Sequence, residues 1–214
     1  LLNIIRQTAM IAVMAIAMTF VLSAGEIDLS VGSVAGLATV TVAMAIAIAG
    51  PIAGVFAGLA TGLVVGMFNG WLTTRVGIPS FLTTLAMMGI AKGAAMWISD
   101  TAAVPILNQS YAWIFGGGSI GRIPVLLFWV LILGAIGHFA LRRTGFGRRV
   151  LATGGGETAA RYSGIDTARI KFRVLVLSST AAALAGMLYA GRLQSGRFQL
   201  GEGDELSVIA AAVL

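Results

Sequence analysis

Six apolar runs, each long enough to cross a bilayer, set the architecture of this chain: Thr8–Ala24, Ser33–Gly50, Ile52–Leu72, Pro79–Ile98, Ile123–Leu141 and Val174–Ala190. A hydrocarbon core of about 30 Å calls for roughly 17 to 25 apolar residues in a helix, the form that satisfies every backbone N–H and C=O within one segment. With 58% apolar and 10% charged residues and a mean hydropathy of +0.96, the chain has too little polar surface to cover a water-soluble globule. The expectation is an all-α, polytopic transmembrane helix bundle. A further apolar start, Ser207–Leu214, is cut by the chain end, and Leu1 opens the sequence without a Met or a basic leader. Residues 1–214 therefore read as a single transmembrane domain, a fragment with helices missing at both ends.

Charge gives the bundle an orientation. Eight of the fourteen Lys and Arg residues lie between Arg142 and Arg173, and such clusters are retained on the cytoplasmic side of a membrane. That reading also removes nucleic acid as a partner, because the excess charge flanks apolar spans and acts as an orientation signal. Counting back places Asp100–Arg122 outside, Thr73–Ile78 inside and the Gly50–Pro51 turn outside. Arg192–Glu205 is expected at the outer face. Gly25–Gly32 reads either as an inner loop or as a break part-way through the membrane, since its glycines, serine and two carboxylates cannot form a lipid-facing helix.

Two further patterns bear on packing and on polar paths. Gly50, Gly54, Gly58, Gly62, Gly66 and Gly70 recur every fourth residue, so they line one side of a helix and offer a small-residue seam for close helix packing. Among the polar residues in or between spans, Glu26, Asp28 and Ser30 either cap the following helix or line a polar pathway, and Asn69, Thr83, Thr84 and Ser178–Thr180 either bond between helices or face a solute. Lys92 is placed to snorkel outward, and His138 to make an interfacial hydrogen bond.

The inventory argues against an enzyme. The chain has no Cys, one His, no G-x-x-x-x-G-K-[ST] phosphate loop and no H-E-x-x-H, so no catalytic residue, metal ligand or cofactor is expected. An intramembrane hydrolase would have to join Ser33 to His138.

Three motifs together resemble the permease subunits of bacterial ABC importers for monosaccharides, the ribose-type branched family: GEIDLSVGS at Gly25–Ser33, GMFNGWLTTRVGIPSFLTTLAMMGIAKG at Gly66–Gly93, and TGFGRRVLATGGGETAARYSGI at Thr144–Ile165. The resemblance covers nearly the whole chain. It implies a multi-pass subunit of the bacterial cytoplasmic membrane that carries sugar and leaves ATP hydrolysis to other chains. The implied partners are ABC ATPase subunits, a second permease subunit as homo- or heterodimer, an extracytoplasmic sugar-binding protein and the lipid bilayer. An ATP-independent channel or secondary carrier is the alternative.

The family's cytoplasmic coupling segment falls on Gly147–Ile165. It assigns ATPase coupling to Gly147, Arg148, Arg149, Gly154, Gly155 and Glu157, continuing through Ala159, Ala160, Ser163 and Gly164. A short coupling helix at Glu157–Ser163 is expected after a break at Gly154–Gly156, with Ala159 and Ala160 as its small contact surface. The candidate substrate pathway comprises Glu26, Asp28, Ser30, Asn69, Phe81 and Thr84. Two positions depart from the family pattern: Glu26 stands where Gly is frequent, and Gly156 where Asn is frequent.

Overall fold

The structure is a computed structural model that describes residues 2–214. The helices in chain order are α1 (Leu2–Ser23), α2 (Val31–Trp71), α3 (Ser80–Ile98), α4 (Gln109–Ala112), α5 (Val125–Arg143), α6 (Gly145–Gly155), α7 (Glu157–Tyr162), α8 (Thr167–Leu193) and α9 (Asp204–Val213). Among the described residues, α1, α2, α3, α5 and α8 are long and apolar enough to cross a membrane.

Helix α2 crosses twice. Gly50 adopts φ +85° and ψ −179°, outside the helical region, and Pro51 follows it. A residue preceding proline avoids the α conformation, while proline's fixed φ suits the first turn of a new helix. The chain reverses there, and two arms, 31–49 and 51–71, run side by side. The Thr41 and Thr61 hydroxyls bond across the arms at 2.9 Å, and Asn69 Nδ2 donates to Ser30 Oγ at 3.2 Å near the far end. Each of the six apolar runs thus corresponds to one crossing.

Helix α8 sits at the centre, against α1 and both arms of α2. The glycine seam makes this possible. Gly58 faces Met187, Gly66 faces Val176 and Gly70 faces Phe172, while a Cβ on Gly62 would lie 2.6 Å from the Ser179 carbonyl oxygen and 2.7 Å from Ala183 Cβ. Gly54 packs instead on Ile46 of the opposing arm. Without a hydrophobic drive between helices in lipid, this close approach supplies the dispersion contacts that hold them together.

Two non-helical segments enter the bundle from opposite ends. Between α1 and α2, the Ile27 and Leu29 N–H groups donate to Ser80 Oγ at 3.2 Å and Thr84 Oγ1 at 3.0 Å, so the first turns of α3 satisfy donors that hydrocarbon would leave bare. From the other end, residues 195–203 do not stay at the surface as the sequence suggested. They fold back along the first arm of α2, where Arg197 N donates to Thr39 Oγ1 at 3.0 Å. They reach Gly32, whose Cα lies so close to the Gly201 carbonyl that a Cβ would collide with it. Glycines at 32, 36, 196 and 201 make this inward path possible by leaving room for a second backbone.

The loop at that end is also held down. Strand β1 (Val104–Pro105) pairs antiparallel with β4 (Ser195–Gly196), and β2 (Ser119–Ile120) with β3 (Ile123–Pro124). Tyr111 is buried beneath, its hydroxyl donating to the Met187 carbonyl at 3.0 Å while its ring stacks on Phe115.

The basic loop is shorter and more ordered than expected. Helix α5 continues through Arg143 and α8 begins at Thr167, well before Val174. Thr144 caps α6 by accepting from Gly147 N, and Asp166 caps α8 by accepting from Arg169 N at 2.9 Å.

Candidate functional site

A cluster of charges at the basic end joins three elements. Lys171 Nζ, near the start of α8, lies 2.7 Å from Glu26 Oε1 and 2.8 Å from Glu157 Oε2. Glu157 Oε1 also accepts from Arg161 at 2.6 Å and from the Thr167 hydroxyl at 3.1 Å. The segment leading into α2, the short helix α7 and the base of α8 are therefore tied through one ammonium group. The Lys171 hydrogen bond is the main cause holding the Glu157 carboxyl below its usual range, with Thr167 and Arg161 acting in the same direction. Glu26 is buried, and its partner is Lys171. Its place is in this tie, apart from the polar cluster around Asp28.

The surrounding residues of the basic loop divide by exposure. Arg148, Arg149, Ala159, Ser163 and Gly164 face outward. Ala160 is turned inward and 4% exposed, so it cannot offer the contact surface assigned to it together with Ala159. Gly147 is buried against the carbonyls of Ala140 and Leu141, allowing the tight turn from α5 into α6. Gly154 and Gly155 form the last turn of α6, and the break before α7 is at Gly156 alone. Gly154 meets the Ser23 carbonyl at the end of α1, so this glycine binds the loop to the bundle.

The second cluster lies deeper. Asp28 Oδ1 accepts from Ser30 N at 2.9 Å and Ser30 Oγ at 2.6 Å, and Ser30 in turn accepts from Asn69. Neither Asp28 nor Ser30 caps α2 through its side chain, contrary to one of the two sequence readings. Thr84 supports the same segment through Leu29 N. All four side chains are buried, whereas Phe81 is 45% exposed and makes no side-chain bond in this group. Asp28 Oδ2, Asn69 Oδ1 and the Ser178 and Ser179 hydroxyls have no hydrogen-bond partner among the described residues. Buried polar atoms of this kind retain the capacity to accept or donate further hydrogen bonds.

At the opposite end, Lys92 of α3 pairs with Glu202, and both side chains are partly exposed. Glu202 belongs to a Gly-Glu-x-Asp sequence, Gly201–Asp204, that repeats the pattern of Gly25–Asp28. Each of the two inward-running segments thus carries a glutamate paired to a lysine of a spanning helix. Sequence reasoning missed Lys171 and Glu202. The recurrence of Gly-Glu-x-Asp was the signal that would have exposed Glu202. His138 is exposed on α5, and its ring makes no hydrogen bond among the described residues. Among the described residues, no group of three His, Cys, Asp or Glu gathers to hold a metal ion.

Comparison with known proteins decides the family. The model for the branched-chain amino acid transport system / permease component matches residues 1–214. The chain belongs to this permease family. Among its relatives, the ribose import permease protein RbsC of Bacillus subtilis (strain 168) is 39% identical over 216 residues, covering 100% of this chain and 67% of that protein. The L-arabinose transport system permease protein AraH of Escherichia coli (strain K12) is 38% identical, covering 96% of this chain and 63% of its own. The probable ABC transporter permease protein YphD of the same organism is 36% identical, covering 100% of the chain and 64% of its own. The permease chain spans about two thirds of the length of these curated relatives. No solved structure matches it.

Proposed function

We propose that this permease chain forms part of the translocation pathway of an ATP-driven sugar importer in the bacterial inner membrane. Separate ATPase subunits dock at the basic end, a sugar-binding protein delivers solute at the other, and a second permease subunit completes the pathway. The observation that carries this reading is the tie of α7 to the bundle through Lys171, which joins an exposed basic docking face to the segment holding Asp28. The ribose and arabinose names of two relatives favour a monosaccharide as solute.

Mechanically, force applied to α7 reaches Glu26 through a single cation, and Glu26 stands two residues from Asp28 in the segment that leads into α2. The path itself is assigned to Asp28, Ser30, Asn69 and Thr84, whose groups can exchange their mutual bonds for bonds to sugar hydroxyls. Gly147, Arg148, Arg149, Gly154, Gly155, Glu157, Ala159, Ser163 and Gly164 are assigned to the coupling face and its support. The test is reconstitution of the complete transporter with its ATPase and binding protein. Sugar-stimulated ATP hydrolysis should be present and should disappear on deletion of residues 157–163. Stimulation that survives the deletion, or uptake by the permease without any ATPase, would overturn the assignment.

A further inference from the structure

A cavity of about 540 Å³ opens at the basic end between the end of α2 with the turn that follows it, Leu72–Val76, and the start of α8. Its walls carry Arg75, Arg169 and Arg173 with the aromatic rings of Trp71 and Phe172. Arg169 and Arg173 are four residues apart and share one helix face, while Lys171, two residues from each, points to the other. The cavity adjoins the recess of the coupling tie, with which it shares Thr74 and Ala168, but Lys171, Glu26 and Glu157 are not on its wall.

Its charge is unbalanced. Asp166 is the one carboxylate on the wall, and it is already engaged: Oδ1 accepts from Arg169 N at 2.9 Å and Oδ2 lies 3.4 Å from Arg169 Nε. Arg75 and Arg173 have no carboxylate within 4 Å among the described residues. Three cations against one carboxylate leave two positive charges in a recess whose volume falls within the roughly 300 to 1,000 Å³ usual for small-molecule sites.

Its position selects the ligand. Trp71 is half exposed, with Phe68 beside it at 6.3 Å between ring centroids, and the lane continues up α2 through exposed Met67 and Val64. Aromatic rings of this kind sit at the level of lipid headgroups, and an apolar lane rising from a basic recess suits acyl chains below a phosphate. Gly70 lets Phe172 lie flat against α2 and close the inner wall. A soluble anion would use the arginines and leave the lane empty. An acidic protein surface would not need it.

We propose that this recess is a binding site for the phosphodiester headgroup of an anionic membrane lipid, held by Arg75 and Arg173. The claim is independent of the solute. The test uses the full chain in nanodiscs of equimolar phosphatidylglycerol and phosphatidylcholine, with retained lipids identified by native mass spectrometry after release. The first retained lipid should be phosphatidylglycerol by about tenfold, since each arginine near a membrane surface adds a severalfold preference for anionic lipid. Arg75→Gln with Arg173→Gln should reduce that preference to near parity, and Arg142→Gln with Arg143→Gln should leave it. Raising the ionic strength on the unaltered chain should weaken the preference as well, an arm that needs no variant to fold. Equal retention of the two lipids, or a preference that survives loss of Arg75 and Arg173, would overturn the proposal. So would displacement of the lipid by ATPase subunits, which would make the recess a protein contact.

Discussion

The Thr41 hydroxyl lies 2.9 Å from that of Thr61, twenty residues further along the chain. In a straight helix the two would stand about 30 Å apart. Their meeting shows that α2 is a hairpin, and it places Gly62 one residue beyond the contact, where the second arm turns to face α8. Strain at the apex and crowding at this seam then have different costs. Gly50→Ala meets open space but must hold φ +85° with ψ −179°, a region essentially confined to glycine, so it should lower stability by about 2 kcal/mol. Gly62→Val presses on Ser179 and Ala183 and should cost more, about 3 kcal/mol, because the obstructing atoms include backbone. Thermal unfolding in detergent should rank the two in that order; equal midpoints would contradict the seam.

Removing the central cation of the basic-end tie should cost more than removing the whole pair. Lys171→Met leaves Glu26 buried without a counter-charge, and a loss of about 2 to 3 kcal/mol is expected, below the 3 to 5 typical of fully buried pairs because Lys171 retains some exposure. Lys171→Met combined with Glu26→Gln should recover part of that loss. A double-mutant cycle on unfolding midpoints measures the coupling, and strict additivity would show the contact to be energetically idle.

Acid should loosen α7 through Glu157. Its carboxyl is held below the ordinary value near 4.5, so the unfolded segment binds protons more readily than the folded one. The stabilisation is complete above that ordinary value and is lost as pH falls through the lower folded one. Hydrogen exchange of the 157–163 amides should accelerate in that acid window. Glu157→Gln should flatten the acid dependence, and an unchanged profile in that variant would assign the effect to another group.

Arg148 and Arg149 are exposed on α6, where charge steers a partner more than it adds contact energy. Arg148→Ala with Arg149→Ala should weaken ATPase-subunit docking severalfold at low salt, with the difference narrowing as ionic strength rises. Binding measured over a salt series checks this, and docking indifferent to both changes would remove them from the coupling face.

The spans were legible because hydropathy and length report directly on burial in lipid. Even the Gly50–Pro51 reversal could be read, since a proline after a glycine breaks a helix in a recognisable way. What escaped was depth. Residues 195–203 are polar enough to belong at a surface, and nothing in their composition says that Gly32, Gly36, Gly196 and Gly201 together open a route inward. That information is carried by pairs of small residues distant in sequence. The same limit hid Lys171 as the partner of Glu26 and Glu157, because a lysine at a helix start looks like any other member of a basic loop. The start of α8 was misjudged for a related reason: its first two turns are polar, and their helical state depends on the Asp166 cap and the Glu157 contacts, which hydropathy does not register.

The contact between Gly32 and Gly201 constrains how this chain can evolve. A side chain on either glycine would strike the carbonyl of the other, and the obstructing atoms are main chain, so no smaller partner residue exists to make room. The two positions should therefore resist change singly and fail to rescue one another in pairs. Suppressors of a Gly32 substitution, if selected, should arise where the 195–203 segment is anchored, at Thr39 or in the β1–β4 pairing, since only moving a whole backbone restores the space.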